Sequence, residues 1–591
     1  SQVDVSIGSI SGERLTPLGS CFVNITGTRE GTKGKTKVIT KDVAYVFEGT
    51  PHPYLSRSVL VALGIVKDNM EIGDHLDAGG AAEEILEPVT CNEAQSETGE
   101  RACSCPERED VPDPPTFKGE WKDRSIPAMK QKLLIHYARS AFNTCKLQPQ
   151  PVMADLPPVK LEVDEAKYVP RKFTQAGNVA LHLEEAARAS IDADIKAGVI
   201  RKIGMKEPNT GTARQVIVAK PTKPGEPAKI RRTVDFKWLN AHINPSVFHC
   251  DPPLKQAERI KPNSYKSVLD AKDGFHSVPL AEESKKYTHF ITQTHGRMAY
   301  EVLPQGVINA PAAFSERMAK AEEGEDGVTA FPDSTRLMDD ACLWSKTLEG
   351  IFNDTARYLT QVGRAGIAFS PKKFQFAQRE IDYVGFRIGE DGLNISEKIV
   401  SAIRHFPRPK NLKDMRSFMG LAEQTAPFMT RAEELHPFRD LLKSKTKEDF
   451  TWTEELTKAF DFAKQHLIQE SEAGIKRFER DRTTMLTSDW SNLGMGCAIF
   501  QKYCTCKPKE GDTYKLGCCE TGWKIVLMDS RFCTTAEAKY APIEGEICAL
   551  YWAMSKFRYF LIGHPDLHVA VDHQPLLGVL SGQKDMSEMV N

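Results

Sequence analysis

Leu337-Met338-Asp339-Asp340-Ala341-Cys342-Leu343-Trp344 sets two adjacent carboxylates between two apolar runs. Apolar–Asp–Asp–apolar reads as a strand–turn–strand hairpin with acids at its tip. A third acid, Asp270, ends the run Ser267-Val268-Leu269. Mg2+ takes carboxylate oxygens together with substrate phosphates. Two such ions, about 3.5–4 Å apart, activate an attacking hydroxyl and stabilise a leaving oxygen. Asp270, Asp339 and Asp340 therefore make a candidate two-metal phosphoryl-transfer centre.

The 591-residue chain is 40% hydrophobic and 27% charged, an ordinary globular composition. Its length suits about three to five domains. No run approaches the roughly 20 apolar residues of a membrane span, so a membrane partner is not expected. A formal net charge of −2 gives no whole-chain attraction for a polyanion. A nucleic-acid enzyme of this composition must gather its positive charge in a groove. Fourteen cysteines without a secretory signal argue for a reduced, intracellular chain whose cysteines are thiols or metal ligands. The first residue is Ser, which suggests a processed product or a piece of a longer polyprotein.

Residues 1–75 read as β-rich: Val3, Val5 and Ile7 alternate, and Cys21–Ile25 is apolar. Residues 76–155 read as a linker, because the prolines around Pro106 and Pro112–Pro115 forbid regular ladders; one short helix is expected near Lys130–Phe142. An α/β pattern follows. Leu183, Ala187, Ile191 and Ile195 share a helical face that stops at Gly198. Gln215–Ala219 is an expected strand, Pro221–Ala228 an expected turn, and residues 411–470 are mostly helical. Thr484–Trp490 starts a new strand-led domain.

Around these acids lies a series of motifs. Tyr265–His276, containing Asp270, resembles the first catalytic motif of reverse transcriptases. Leu303-Pro304-Gln305-Gly306 resembles the second, and Leu337–Asp340 takes the place of the family's Tyr-x-Asp-Asp box. Lys372-Lys373-Phe374 and Tyr383-Val384-Gly385-Phe386 look like the later lysine and primer-grip motifs. Val218–Pro221 and Arg231–Phe236 look like fingers, and Ser417–Leu421 and Phe450–Thr453 like thumb signatures. The order is that of gypsy-type LTR retrotransposon polyproteins. The resemblance implies a right-hand polymerase using Mg2+ (or Mn2+), with dNTPs, an RNA template, a DNA primer and RNA–DNA hybrids as partners. Asp270 and Asp339 would hold the metals, with Asp340 in support. Lys220 and Arg231 would clamp the triphosphate, the Arg as a bidentate fork and the Lys as a compact charge. Lys373 would join the substrate site. Gln305 would touch the incoming sugar or the template. Phe275, at the sugar-gate position, would clash with a 2′-hydroxyl and favour deoxynucleotides. Leu337 departs from the family's Tyr.

Asp489 in Leu486–Ser491, Glu546 in Glu546–Leu550 and Asp572 in Val569–His573 resemble the acidic series of retroelement RNase H, a second two-metal nuclease. Glu544 then reads as an N-terminal helix acid. The family's fourth carboxylate would follow Asp572 by several tens of residues, so this domain is expected to be truncated. Cys504, Cys506, Cys518 and Cys519 could offer tetrahedral sulfur to Zn2+, but Cys-x-Cys and Cys-Cys depart from the usual spacing and favour reduced thiols. Residues 15–66 resemble the C-terminal half of a retropepsin-like protease through Val43–Glu48, Tyr54–Arg57 and Leu63–Ile65. The paired Asp-Thr/Ser-Gly that protease chemistry needs is absent, and Asp77-Ala78-Gly79 is no substitute.

The expected architecture is multidomain α/β and α+β. It comprises a retropepsin-like C-terminal fragment (1–75), a linker (76–155), fingers and palm (156–395), thumb and connection (396–480) and an RNase H-like domain (481–591). The expected function is RNA-directed DNA synthesis, in a cytoplasmic particle or the nucleus, with an associated RNase H-like domain whose truncation is expected to leave hybrid cleavage weak or absent; protease activity is not expected. The alternative is a decayed or domesticated copy that binds nucleic acid or protein without catalysis.

Overall fold

The computed structural model describes the backbone of the paired strands before residue 104 and most of residues 106–573, with 576–577. Within 106–573 the exceptions are 117–124, 172, 205, 209, 221–228, 249, 391, 429–434, 443–449 and 507–521. The chain divides into two units, Ser1–Ile85 and Leu86–Asn591. In the first, Gly19–Gly31 pairs antiparallel with Gly34–Val46. The protease-like residues beyond Val46, the Asp77-Ala78-Gly79 triplet, the Pro221–Ala228 turn and Cys518-Cys519 lie outside the described residues.

The second unit is built on a four-stranded sheet. Its strands are β4 (Tyr265–Asp270), β7 (Ser334–Leu337), β8 (Asp340–Ser345) and β9 (Gln375–Gln378), in the order β7-β8-β4-β9. Both of its faces are covered. Leu269, Ala341 and Leu343 belong to one core with Ile351, Phe352 and Leu359 of helix α5 (Leu348–Arg364). Val268, Cys342 and Trp344 belong to a second core with Ile381, Ile388 and Leu393. Side chains alternate across a strand, so a doubly covered strand reads as an unbroken apolar run. This is why Ala341–Trp344 shows no polar alternation. Thr347 starts α5 by accepting the Gly350 N–H at 3.0 Å.

The proline-rich stretch is not a free linker. Helix α1 (Ile126–His136) buries Met129 and Leu133, and Tyr137 follows it into the palm core. The Tyr137 hydroxyl donates to the Ala356 carbonyl of α5 at 2.9 Å. Arg364 Nε donates to the Val111 carbonyl at 3.1 Å. Proline removes ladder donors but leaves carbonyls that a helix side chain can engage.

A five-stranded sheet takes three strands from before β4 and two from after it. It joins β1 (Ile200–Lys202), β2 (Ala213–Ala219), β3 (Ile230–Val234), β5 (Phe290–Thr292) and β6 (Gly296–Tyr300) in the order β1-β6-β5-β2-β3. Helix α2 (Glu184–Lys196) buries Ala187 and Ile191, with Leu183 just before it, and Gly198 follows at φ +72°. That is the glycine stop expected from its conformational freedom.

Beyond β9 a small sheet of β10 (Ile381–Tyr383), β11 (Phe386–Ile388), β12 (Gly392–Ile395) and β13 (Ile475–Lys476) closes the second core. Helices α6 (Glu397–Arg404), α7 (Leu412–Glu423) and α8 (Glu454–Ala473) pack around Phe418, Phe438 and Phe460. The last sheet has β14 (Thr484–Trp490), β15 (Gly494–Lys502), β16 (Trp523–Phe532) and β17 (Leu567–Ala570) in the order β16-β15-β14-β17. Helix α9 (Pro542–Lys556) packs on it, followed by the short α10 (Arg558–Leu561).

Candidate active site

The hairpin expected at Leu337–Asp340 is present. Leu337 pairs with Asp340, and Met338 and Asp339 make the turn. Met338 adopts φ +55°. This left-handed first corner suits glycine, and a two-residue turn of that hand matches strand twist. Strain of this kind is tolerated where surrounding contacts over-determine it. Here Arg336 supplies them: its Nη1 donates to the Met338 carbonyl at 3.1 Å and its Nε to Glu322 Oε1 at 2.9 Å. Glu322 also accepts from the Tyr358 hydroxyl at 2.7 Å. Neither Arg336 nor Glu322 stands out in the sequence; an Arg inside a hairpin strand was the one available signal.

Asp270 and Asp340 are directly opposite across β4 and β8, so their side chains share a face. They line a cavity of about 310 Å³ with Lys373 and Tyr383. Asp339 is the next residue back, in the turn, close enough to feel the charge of Asp270. Lys373 Nζ lies 2.6 Å from Asp270 Oδ2. The Asp340 carboxyl is pushed up to about 6, first by burial, then by the charges of Asp339 and Asp270. Burial and Asp270 also raise Asp339. Three acids with one lysine beside them hold excess negative charge, and a divalent cation fits that donor set.

The other predicted residues surround this cleft or lie on the fingers. Phe275 is half-buried, its ring 5.4 Å from that of Phe314 on helix α4 (Ala310–Ala321). Gln305 is exposed in its turn, where Gly306 adopts φ +96°. Asn240 pins that turn, donating to the Gly306 carbonyl at 2.8 Å and accepting from Ile308 N at 2.9 Å. Arg231 is exposed on β3, and Lys220 is exposed just past the end of the adjacent β2. Arg231 pairs with Val218, and Lys220 is two residues beyond Val218, so both basic side chains share one face. Arg232 faces the other way and pairs with Asp194.

In the last domain Asp489 of β14, Glu546 of α9 and Asp572 just past β17 bring their oxygens within 4.8 Å of one another. Among the described residues it is the one set of three acidic, histidine or cysteine side chains drawn this close together. Glu546 is 7% exposed, and its Oε2 has no hydrogen-bond partner. Burial, then Asp489 and Asp572, push its carboxyl up to about 7. An orphaned buried oxygen among like charges suits a divalent ion. Gly545 lets α9 approach this closely, since a Cβ there would overlap the Trp490 indole. Glu544 accepts the Ala541 N–H at 3.0 Å in the first helical turn. Cys504 is half-buried and Cys506 exposed.

Residues 218–388 match the family described as reverse transcriptase (RNA-dependent DNA polymerase), and residues 479–591 match the RNase H-like domain found in reverse transcriptase. The chain thus carries a reverse transcriptase domain followed by an RNase H-like domain. Proteins similar to it include polyproteins of retrotransposons. It is 28% identical over 362 residues to the retrovirus-related Pol polyprotein from transposon 297 of Drosophila melanogaster, covering 61% of this chain and 31% of that one. It is 23% identical over 405 residues to the transposon Tf2-3 polyprotein of Schizosaccharomyces pombe, covering 68% and 28%. The chain therefore spans about a third of these relatives. The foamy viral protease-reverse transcriptase in complex with RNA/DNA hybrid shares the fold at TM-score 0.59 and 19% identity, over 79% of this chain and 58% of that one. Its dRH form in complex with double-stranded DNA gives 0.63 and 16%, over 99% and 88%. No described helix is long and apolar enough to cross a membrane.

Proposed function

We propose that the chain is an RNA-directed DNA polymerase that extends a primer with dNTPs, and that its last domain cuts the RNA of RNA–DNA hybrids. The observation that carries this reading is the antiparallel pairing of Asp270 with Asp340, with Asp339 in the adjoining turn. Asp270 and Asp339 are the ligands for Mg2+ or Mn2+, and Asp340 deepens the field that attracts it. The metal supplies charge for the attacking hydroxyl and the leaving phosphate. Lys373 holds Asp270 in place and neutralises part of the charge when the triphosphate is absent.

Lys220 and Arg231 meet the triphosphate from the fingers face, and Gln305 meets the sugar or template from its pinned turn. Phe275 is braced by Phe314, so a 2′-hydroxyl meets a wall that does not yield. Asp489, Glu546 and Asp572 hold the metal of the hybrid-cutting site. The chain acts inside the cell, in a cytoplasmic particle or the nucleus.

Incorporation of labelled dTTP on poly(rA)/oligo(dT) by the purified chain tests the reading. Mg2+-dependent incorporation supports it. Tight binding of the primer–template with no incorporation in Mg2+ or Mn2+ replaces it with a binding role.

A further inference from the structure

Helix α3 (Pro253–Arg259) touches both halves of the proposed enzyme. On the palm side, Gln256 is buried and its Oε1 accepts from the Thr335 hydroxyl of β7, three residues before the Met338-Asp339 turn. On the other side, Lys255 Nζ lies 4.7 Å from the centre of the Tyr559 ring on α10. The helix ends at Ile260, whose carbonyl accepts from Arg477 Nη1.

Arg477 follows β13 at the entrance to the RNase H-like domain and is 5% exposed. Its own carbonyl accepts from Tyr503 of that domain at 2.9 Å. Among the described residues, its Nε and Nη2 have no hydrogen-bond partner, and neither has Glu258 Oε1 on α3. Three of the five guanidinium N–H donors are thus unused, and although the Glu258 charge faces the group, burying it so costs stability that an apolar residue would not. Fixing one relative placement is the best-attested use of such a group. Ala257 and Ile260 also share one continuous core with Phe557 and Leu561 of the RNase H-like domain.

We propose that α3 and Arg477 form a bridge that holds the Asp339–Asp340 hairpin and the Asp489–Glu546–Asp572 domain as one body. Gln256, Lys255 and Arg477 are then positioning residues, which register RNA cutting to the growing primer end. This rests on the function proposed above, but its test separates the two.

The full chain is compared with Arg477→Met and Tyr559→Ala. The first readout is hydrogen exchange at Ser334–Ser345. Both variants should exchange several-fold faster there, although neither changes a residue of the hairpin. A merely local role confines faster exchange to residues around 477 or 559. The second readout is the position of RNA cuts relative to the primer 3′ end during extension. In both variants cuts should spread over more positions, while dNTP incorporation on a DNA template stays within about two-fold of the parent. Unchanged exchange at Ser334–Ser345 in Tyr559→Ala, a surface change that leaves folding intact, overturns the bridge. A parent chain that fails to incorporate dNTPs overturns the polymerase reading, and the exchange result still decides the bridge.

Discussion

The Tyr383 hydroxyl donates to the main-chain carbonyl of Asp340 at 3.2 Å and lies 3.3 Å from that of Thr335. It thereby fastens the Val384-Gly385 turn to the Asp340 end of β8. That turn has positive φ at both corners, +46° and +92°, which a β-branched residue adopts only when held.

Tyr383→Phe should therefore loosen the site without emptying the core. The loss of one buried hydrogen bond costs about 1 kcal/mol. A few degrees in Tm and a fall in kcat with little change in KM for dNTP are expected. Thermal melting and steady-state extension read both. An unchanged kcat would show that the turn is held by packing alone.

Phe275→Val should open space for a 2′-hydroxyl. The ratio of kcat/KM for rNTP to that for dNTP should rise by at least about ten-fold, equivalent to roughly 1.4 kcal/mol of discrimination. A ratio that does not move removes Phe275 from the sugar gate.

Gly545→Ala forces α9 away from Trp490. Overpacking of this kind costs about 1–3 kcal/mol. Cleavage of a labelled RNA–DNA hybrid, where the parent shows it, should fall sharply, and dNTP incorporation should persist. Loss of both activities together would mean that the fault spreads beyond the last domain.

The acids also set a pH dependence. Asp340 is raised from 3.8 to about 6 and Glu546 from 4.5 to about 7. A raised carboxyl binds its proton more tightly folded than unfolded, so metal-free stability falls as pH rises from about 4 to 7. Mg2+ needs the deprotonated form, so its stabilising effect should be larger at pH 7.5 than at pH 5.5. Melting curves with EDTA and with Mg2+ check this, and Glu546→Gln should flatten the metal-free slope. A slope of opposite sign between pH 4.5 and 7 in the EDTA series would contradict the assignment.

Much of this was legible in the sequence because local chemistry and long-range order agreed. Thr484–Trp490, the helix with Glu544 in its first turn and the Leu337–Asp340 hairpin stand where motif and periodicity placed them. Proline density misread the stretch before 156, since it reports the absence of ladders and says nothing about docking; Tyr137 and Val111 find their partners on α5, more than 200 residues away. The supports of the site were equally invisible. Arg336, Glu322, Tyr358, Asn240 and Gln256 act through contacts that only the folded chain creates, and none carries a motif. The spacing also gave no warning that Asp340, and not Asp339, lies opposite Asp270.

On the proposed function, Asp270, Asp339 and Asp340 drive nucleotidyl transfer. Asp339→Asn keeps the side-chain shape and removes one metal-binding charge. Single-turnover dNTP incorporation on poly(rA)/oligo(dT) in Mg2+ should fall by at least about 100-fold, as loss of transition-state charge stabilisation requires. Primer–template affinity should stay near that of the parent. Equal incorporation by mutant and parent would contradict the account.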